Sequence, residues 1–330
     1  MATQREINQE LDKLEPAIRA EFLEMVSTVV GSITLTRVVT AMDDLDDLMD
    51  EVGITRPAAN DLLEAVRDTY KRGGVFEAPS ARIRFDYRNE QAERWLAEHS
   101  SQFVTRIQTQ QREAIRQAVE TGTRLGQNPR QTALDIAGRV SGQTGRRSGG
   151  IVGLSDNQAR YVSNAREQLR SGDPAQMREY LTRSRRDRRF DGIVNRAIEA
   201  GRPVPRSDME RIVGRYSDRL LQTRGETIAR TEAMQAFNSA RDQAWEQSIE
   251  EGVVQRQNVT KVWRSAGDGN VRHTHAALNR ETVDKDEAFV SPTGARLMYP
   301  GDTSMGAPAS EIVNCRCTYN VRADFLAEAS

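Results

Sequence analysis

Val259-Thr260-Lys261-Val262-Trp263-Arg264, then Ala266-Gly267-Asp268-Gly269-Asn270, then Val271-Arg272-His273-Thr274-His275-Ala276-Ala277-Leu278 is the stretch where the chain changes character. Before Gly252 apolar residues recur at helical spacing. From Val253 to Arg264 they alternate as in a strand, and a Gly-rich turn follows. The fold expected is therefore mainly α, an elongated helical region followed by a small α+β C-terminal domain. By composition, residues 1–100 are an acidic, mostly helical N-terminal region. Residues 101–252 are an arginine-rich helical region with a flexible loop near 141–150, and 253–330 form the α+β domain.

Two of the three histidines lie in this stretch, and both cysteines follow in Asn314-Cys315-Arg316-Cys317. Residues two apart on extended backbone point the same way. Cys315 and Cys317 thus present both sulfurs to one site with Arg316 turned away, and His273 and His275 are expected to do likewise. Two thiolates and two imidazoles match the ligand set of a structural zinc site. Such a metal would support a small domain poor in aromatic residues. The plainer alternative is that the cysteines are small buried hydrophobes and His275 is hydrogen-bonded within the core. A disulfide between residues so close in sequence would be strained.

Upstream, three capping patterns stand out: Ser155-Asp156-Asn157-Gln158, Ser207-Asp208-Met209-Glu210 and Thr223-Arg224-Gly225-Glu226. Each is expected to open a helix, because the hydroxyl takes an early backbone N–H while the Gln or Glu reaches back. The third helix would carry a stripe of Ala229, Ala233, Ala236, Ala240 and Ala244, suited to core packing or to an oligomer contact. Asp43 to Asp50 is acidic but lacks the Gly and Glu of a calcium loop, and its apolar residues fit one helical stripe. Lys71-Arg72-Gly73-Gly74 reads as a turn, and Ile83 to Tyr87 as a short strand.

The 330 residues suggest roughly two to three domains. Aromatics are 5% and charged residues 29%, with mean hydropathy −0.66, so one dense core is not expected. No apolar run has membrane-spanning length, and the opening residues lack a basic-then-apolar leader. Net charge is −1, but residues 1–50 carry a net −7 and residues 101–200 a net +8. Of 47 basic residues only Lys13, Lys71, Lys261 and Lys285 are lysine. Arginine suits phosphate and carboxylate forks, although a GC-rich genome would enrich it too. The densest patch is Arg183, Arg185, Arg186, Arg188 and Arg189, able to screen nucleic-acid phosphates or to face an acidic protein surface. With only Tyr180 and Phe190 beside it, base reading is not expected.

From about Gly225 onward the chain resembles the phage head morphogenesis family, the minor head proteins of the Mu F type. The resemblance rests on Ile228-Ala229-Arg230-Thr231-Glu232, Ala236, Asn238, Trp263, Asp268, Val271-Arg272, His275-Ala276-Ala277-Leu278, Pro300-Gly301-Asp302 and Asn314-Cys315-Arg316-Cys317. Asn279-Arg280 stands where the family often has Gly, and His273 falls at a variable position. The resemblance implies structural roles for Trp263, Asp268, Arg272, His275, Asn314, Cys315 and Cys317. It also implies a tailed-phage virion component inside the head, made in the host cytoplasm. Its partners would be the portal protein, the capsid interior and packaged DNA held through non-specific phosphate contacts, with no membrane in the mature particle. Family members are sometimes fused to toxin domains; none is expected after Cys317 here.

A structural, non-enzymatic head protein is thus the expectation. The alternative is a metal-dependent nuclease or hydrolase using His273, His275, the cysteines and Asp268. No G-x-S-x-G, H-E-x-x-H or phosphate-loop pattern is present, and His273-Thr274-His275 lacks the Glu of a zinc deaminase. A cellular DNA-binding regulator fits poorly with a pI near 6.4.

Overall fold

The computed structural model describes residues 3–142, 145 and 147–326. The protein is 65% helical, with long helices in its N-terminal part and small antiparallel sheets and short helices in its C-terminal region. The long part holds α1 (Gln4–Ser32), α2 (Leu35–Thr40), α3 (Leu45–Val52), α4 (Asn60–Ala81), α5 (Glu90–Arg124) and α6 (Pro129–Ala137). A hairpin of β1 (Arg139–Val140) and β2 (Arg147–Ser148) precedes α7 (Asp156–Arg170), α8 (Pro174–Thr182), α9 (Asp191–Glu199) and α10 (Arg206–Glu250). Then come β3 (Val259–Arg264), α11 (His273–Ala277), β4 (Thr282–Asp284), β5 (Phe289–Val290), β6 (Arg296–Leu297), α12 (Ala309–Ile312) and β7 (Thr318–Ala323). Among the described residues no single helix is long and apolar enough to cross a membrane.

The compact units are assembled from separate stretches. One comprises Met1–Glu21, Asp61–Ser100 and Glu226–Ser330; the other comprises Phe22–Asn60 and Ser101–Gly225.

In the first unit the alanine stripe of α10, Ala229 to Ala244, is buried. Small residues there let α4 come close: a Cβ on Gly73 would sit 2.4 Å from the Phe237 carbonyl oxygen. The expected turn at Lys71–Gly74 is therefore a helical stretch of α4. Its glycines serve close approach, Gly74 against the Phe85 ring. Ile83 to Tyr87 pairs with no strand. Gln247 occupies its backbone instead, accepting from the Asp86 N–H and donating to the Asp86 carbonyl, at 2.9 and 2.7 Å. Strand β3 is central in the antiparallel order β4-β3-β7, with Trp263 opposite Tyr319 and Lys261 opposite Val321. Opposed residues share a face, and this face is buried. One cluster gathers Trp245, Val259, Tyr299 and Tyr319; another gathers Trp263, Leu278, Phe289, Leu297 and both cysteines.

The sequence points to none of the unit's main charged core. Arg241 Nε donates to Glu77 Oε2 at 2.7 Å, Trp245 Nε1 donates to Glu77 Oε1 at 3.0 Å, and Arg241 Nη2 donates to the Tyr319 carbonyl at 3.0 Å. Lys285 pairs with Asp242 and Glu246 nearby.

In the second unit the capping box at Ser155 and Gln158 forms as read and opens α7. The second box lies at a helix start, since α10 opens at Arg206, one residue before Ser207; the third opens none. Ser207 and Thr223 lie inside a single helix of 45 residues, and the Thr223 hydroxyl donates to the Arg219 carbonyl. A cap needs non-helical chain ahead of it; the residues upstream of Thr223 are themselves helical, with Val213, Tyr216 and Leu220 packed. Asp44 caps α3, accepting from the Asp46 and Asp47 N–H groups, so the acidic run is a capped helix. The glycine-rich stretch is partly regular: Val140 pairs with Arg147, while Gln143, Thr144 and Arg146 lie outside the described residues. Gly149 packs on Gly214, where a Cβ would meet the Gly214 Cα at 2.5 Å, and its N–H donates to Asp218.

Candidate metal centre

Extended backbone leads Cys315 and Cys317 into β7, with both side chains buried and Arg316 exposed. The entry is set by Asn314, held at φ 60°, a left-handed conformation that asparagine tolerates better than most residues. Its N–H donates to Thr231 Oγ1 at 3.1 Å and its side-chain oxygen accepts from Arg230 at 3.3 Å. The resembling residues of α10 therefore aim the cysteines.

His273 and His275 lie on α11, and not on a strand. Two positions along a helix differ by about 200° of rotation, so His275 is buried while His273 faces solvent. The expected four-residue set is accordingly three: His275, Cys315 and Cys317, whose ligand atoms lie within 4.8 Å of one another. His275 Nδ1 is 3.4 Å from Cys315 Sγ and 3.6 Å from Cys317 Sγ. Zinc–sulfur and zinc–nitrogen bonds of about 2.3 and 2.0 Å at a tetrahedral angle give a sulfur–nitrogen edge of roughly 3.5 Å. Both sulfur–nitrogen distances match that edge, so the three donors could hold a metal.

The surroundings orient the donors. Trp263 meets the His275 ring edge-on at 5.1 Å. Glu311 Oε2 lies 2.9 Å from His275 Nε2, at ion-pair distance but out of line for a hydrogen bond. Burial pushes the Glu311 carboxyl up, but hydroxyl bonds from Thr293 and Thr274, with His275 facing it, hold it below its ordinary value. The Cys315 thiol and the Cys317 sulfur share a hydrogen bond that lowers Cys317 and raises Cys315; burial adds to the rise and His275 to the fall. One thiolate is thereby favoured, the form that binds metal.

The remaining sequence candidates separate. Trp263 anchors the cluster core, and Arg272 donates to the Val313 carbonyl. Asp268 is half exposed, accepts from the Asn270 N–H at 2.9 Å and faces Arg316 at 3.4 Å. In the other unit the arginine patch forms the turn between α8 and α9. Arg183 donates to Gln168, Arg186 forms a two-pronged pair with Asp191, and Arg189 pairs with Asp187. Arg185 and Arg188 are exposed.

Residues 190–320 match the family described as phage Mu protein F like protein, so the chain carries a Mu F-like phage head morphogenesis domain. The matched stretch includes all of α10 and the three-residue cluster, and begins just after Arg189. A stretch of 95 residues is 36% identical to the NAD(+)–arginine ADP-ribosyltransferase EFV of Enterococcus faecalis (strain ATCC 700802 / V583), covering 28% of this chain and 17% of that protein. The chain thus spans well under two thirds of that relative's length. No solved structure gives a significant match.

Proposed function

We propose that this chain is a minor head protein of a tailed bacteriophage, associated with the portal inside the head and acting in procapsid assembly, DNA packaging or ejection. The observation that carries the reading is the Mu F-like match over residues 190–320. The fate of the resembling residues supports a structural role: Thr231, Asn238, Arg272, Asp302 and Asn314 all enter internal hydrogen bonds. On this reading the chain has no catalysis of its own. His275, Cys315 and Cys317 hold a structural zinc that ties α11 to the entry of β7. Arg185 and Arg188 supply non-specific phosphate or portal contact.

The test is position in the purified particle. Density for this chain beside the portal, inside the shell, is the expected result; a particle lacking the protein overturns the reading. Elemental analysis should find about one zinc per chain, lost in Cys315→Ser. Turnover of nucleic acid or peptide that disappears in His275→Ala would establish the hydrolase alternative instead.

A further inference from the structure

We infer that a metal held by His275, Cys315 and Cys317 keeps an exchangeable fourth position filled by one solvent-derived ligand, a deepening that rests on the zinc reading above. Three protein donors leave a tetrahedral metal one donor short. A small cavity opens onto both cysteines, lined also by Ala266, Asp268, Val271, Arg272 and Asn314 among others. Its volume is ≈ 20 Å³, and a single water needs roughly 10–15 Å³. One water fits there.

Two oxygen-bearing side chains on that wall, Asp268 and Asn314, already have partners. Asp268 is committed to the Asn270 N–H and to Arg316. The Asn314 side-chain oxygen is committed to Arg230. Glu311 sits at the far nitrogen of the imidazole, 2.9 Å from Nε2, whereas the two sulfurs face Nδ1. Two thiolates neutralise a divalent ion, and Arg272 faces the cysteines from the cavity wall. A monatomic anion can therefore replace the water without adding uncompensated charge.

The experiment uses the full chain loaded with zinc for X-ray absorption and with cobalt(II) for visible spectroscopy. Zinc should show two sulfur and two light scatterers, unchanged in Asp268→Ala. The cobalt bands should shift when bromide is added and return when it is dialysed away. Cobalt bands indifferent to bromide, together with loss of a light scatterer in Asp268→Ala, would make Asp268 the fourth ligand and overturn the inference while leaving the zinc reading intact. A chain that retains neither metal removes the zinc reading, and this inference with it. Tryptophan fluorescence of Asp268→Ala confirms that the variant, changed at a half-exposed side chain, is folded.

Discussion

Replacing Glu77 with alanine should cost about 3–5 kcal/mol, the range for removing one partner of a buried ion pair. Arg241 and Glu77 are 1% and 2% exposed, and their Nε–Oε2 distance is 2.7 Å. Glu77→Ala removes that bond and the one from Trp245 Nε1, leaving a buried guanidinium with the Asn238 side chain at 3.3 Å, the Tyr319 carbonyl at 3.0 Å and the Tyr319 ring face at 4.6 Å, and no counter-charge bonded to it. Solvent cannot reach in to replace the carboxylate, so the desolvation cost stands uncompensated. Glu77→Gln keeps one oxygen acceptor and loses the charge, so its cost should fall near 1.5–3 kcal/mol, about that of one charge-assisted hydrogen bond. Adding Arg241→Met to Glu77→Gln should recover part of the loss, because neither charge of the pair then remains buried. The assay is urea denaturation followed by tryptophan fluorescence. Trp95, Trp245 and Trp263 are the only tryptophans in the chain, and all three belong to the unit containing the pair. The reasoning fails if Glu77→Ala shifts the midpoint by the equivalent of less than about 1 kcal/mol at unchanged slope.

Lys261 is fully buried on β3 and its pKa is pushed down to about 8 by burial. The unfolded chain holds that proton up to about 10.4, so between those values unfolding takes up a proton. Stability should therefore rise with pH over that window, by about 2–4 kcal/mol in total, with the penalty fully present below pH 8. Lys261→Met should abolish the slope; a parallel pH profile in both proteins would contradict the assignment. Ser155→Ala, which breaks the capping box of α7, should cost about 1 kcal/mol in thermal or chemical denaturation of the second unit. Arg185→Ala with Arg188→Ala should weaken DNA retention at low salt and flatten its salt dependence without loss of fold, whereas Arg186→Ala, which orphans Asp191, should also destabilise the turn. Retention indifferent to ionic strength would exclude phosphate contact.

Local rules carried far in this chain. Helical periodicity, the Ser155 box, the acidic helix after Asp44 and the change to strands after Gly252 are all interactions within a few residues, and these spacings show them directly. The C-x-C spacing showed that two sulfurs would share a side, since extended backbone alternates whatever surrounds it. Whether the histidines sat on helix or strand was a different matter. His273-Thr274-His275 is too short to have a period, and packing of Thr274, His275 and Leu278 decided for α11, which separated His273 from the cluster.

The amino-acid order by itself determined the helical class, the change to short strands after Gly252 and the shared side of Cys315 and Cys317. Only tertiary structure decided the merging of two expected helices into α10, the use of Gly73 and Gly74 as contact points, and the Glu77–Arg241 pair across 164 positions. It also decided that Glu311 backs His275. The division follows from physics: hydrogen-bond periodicity and capping act over one or two turns, while desolvation and close packing depend on which distant surfaces meet, and no short stretch encodes its partner.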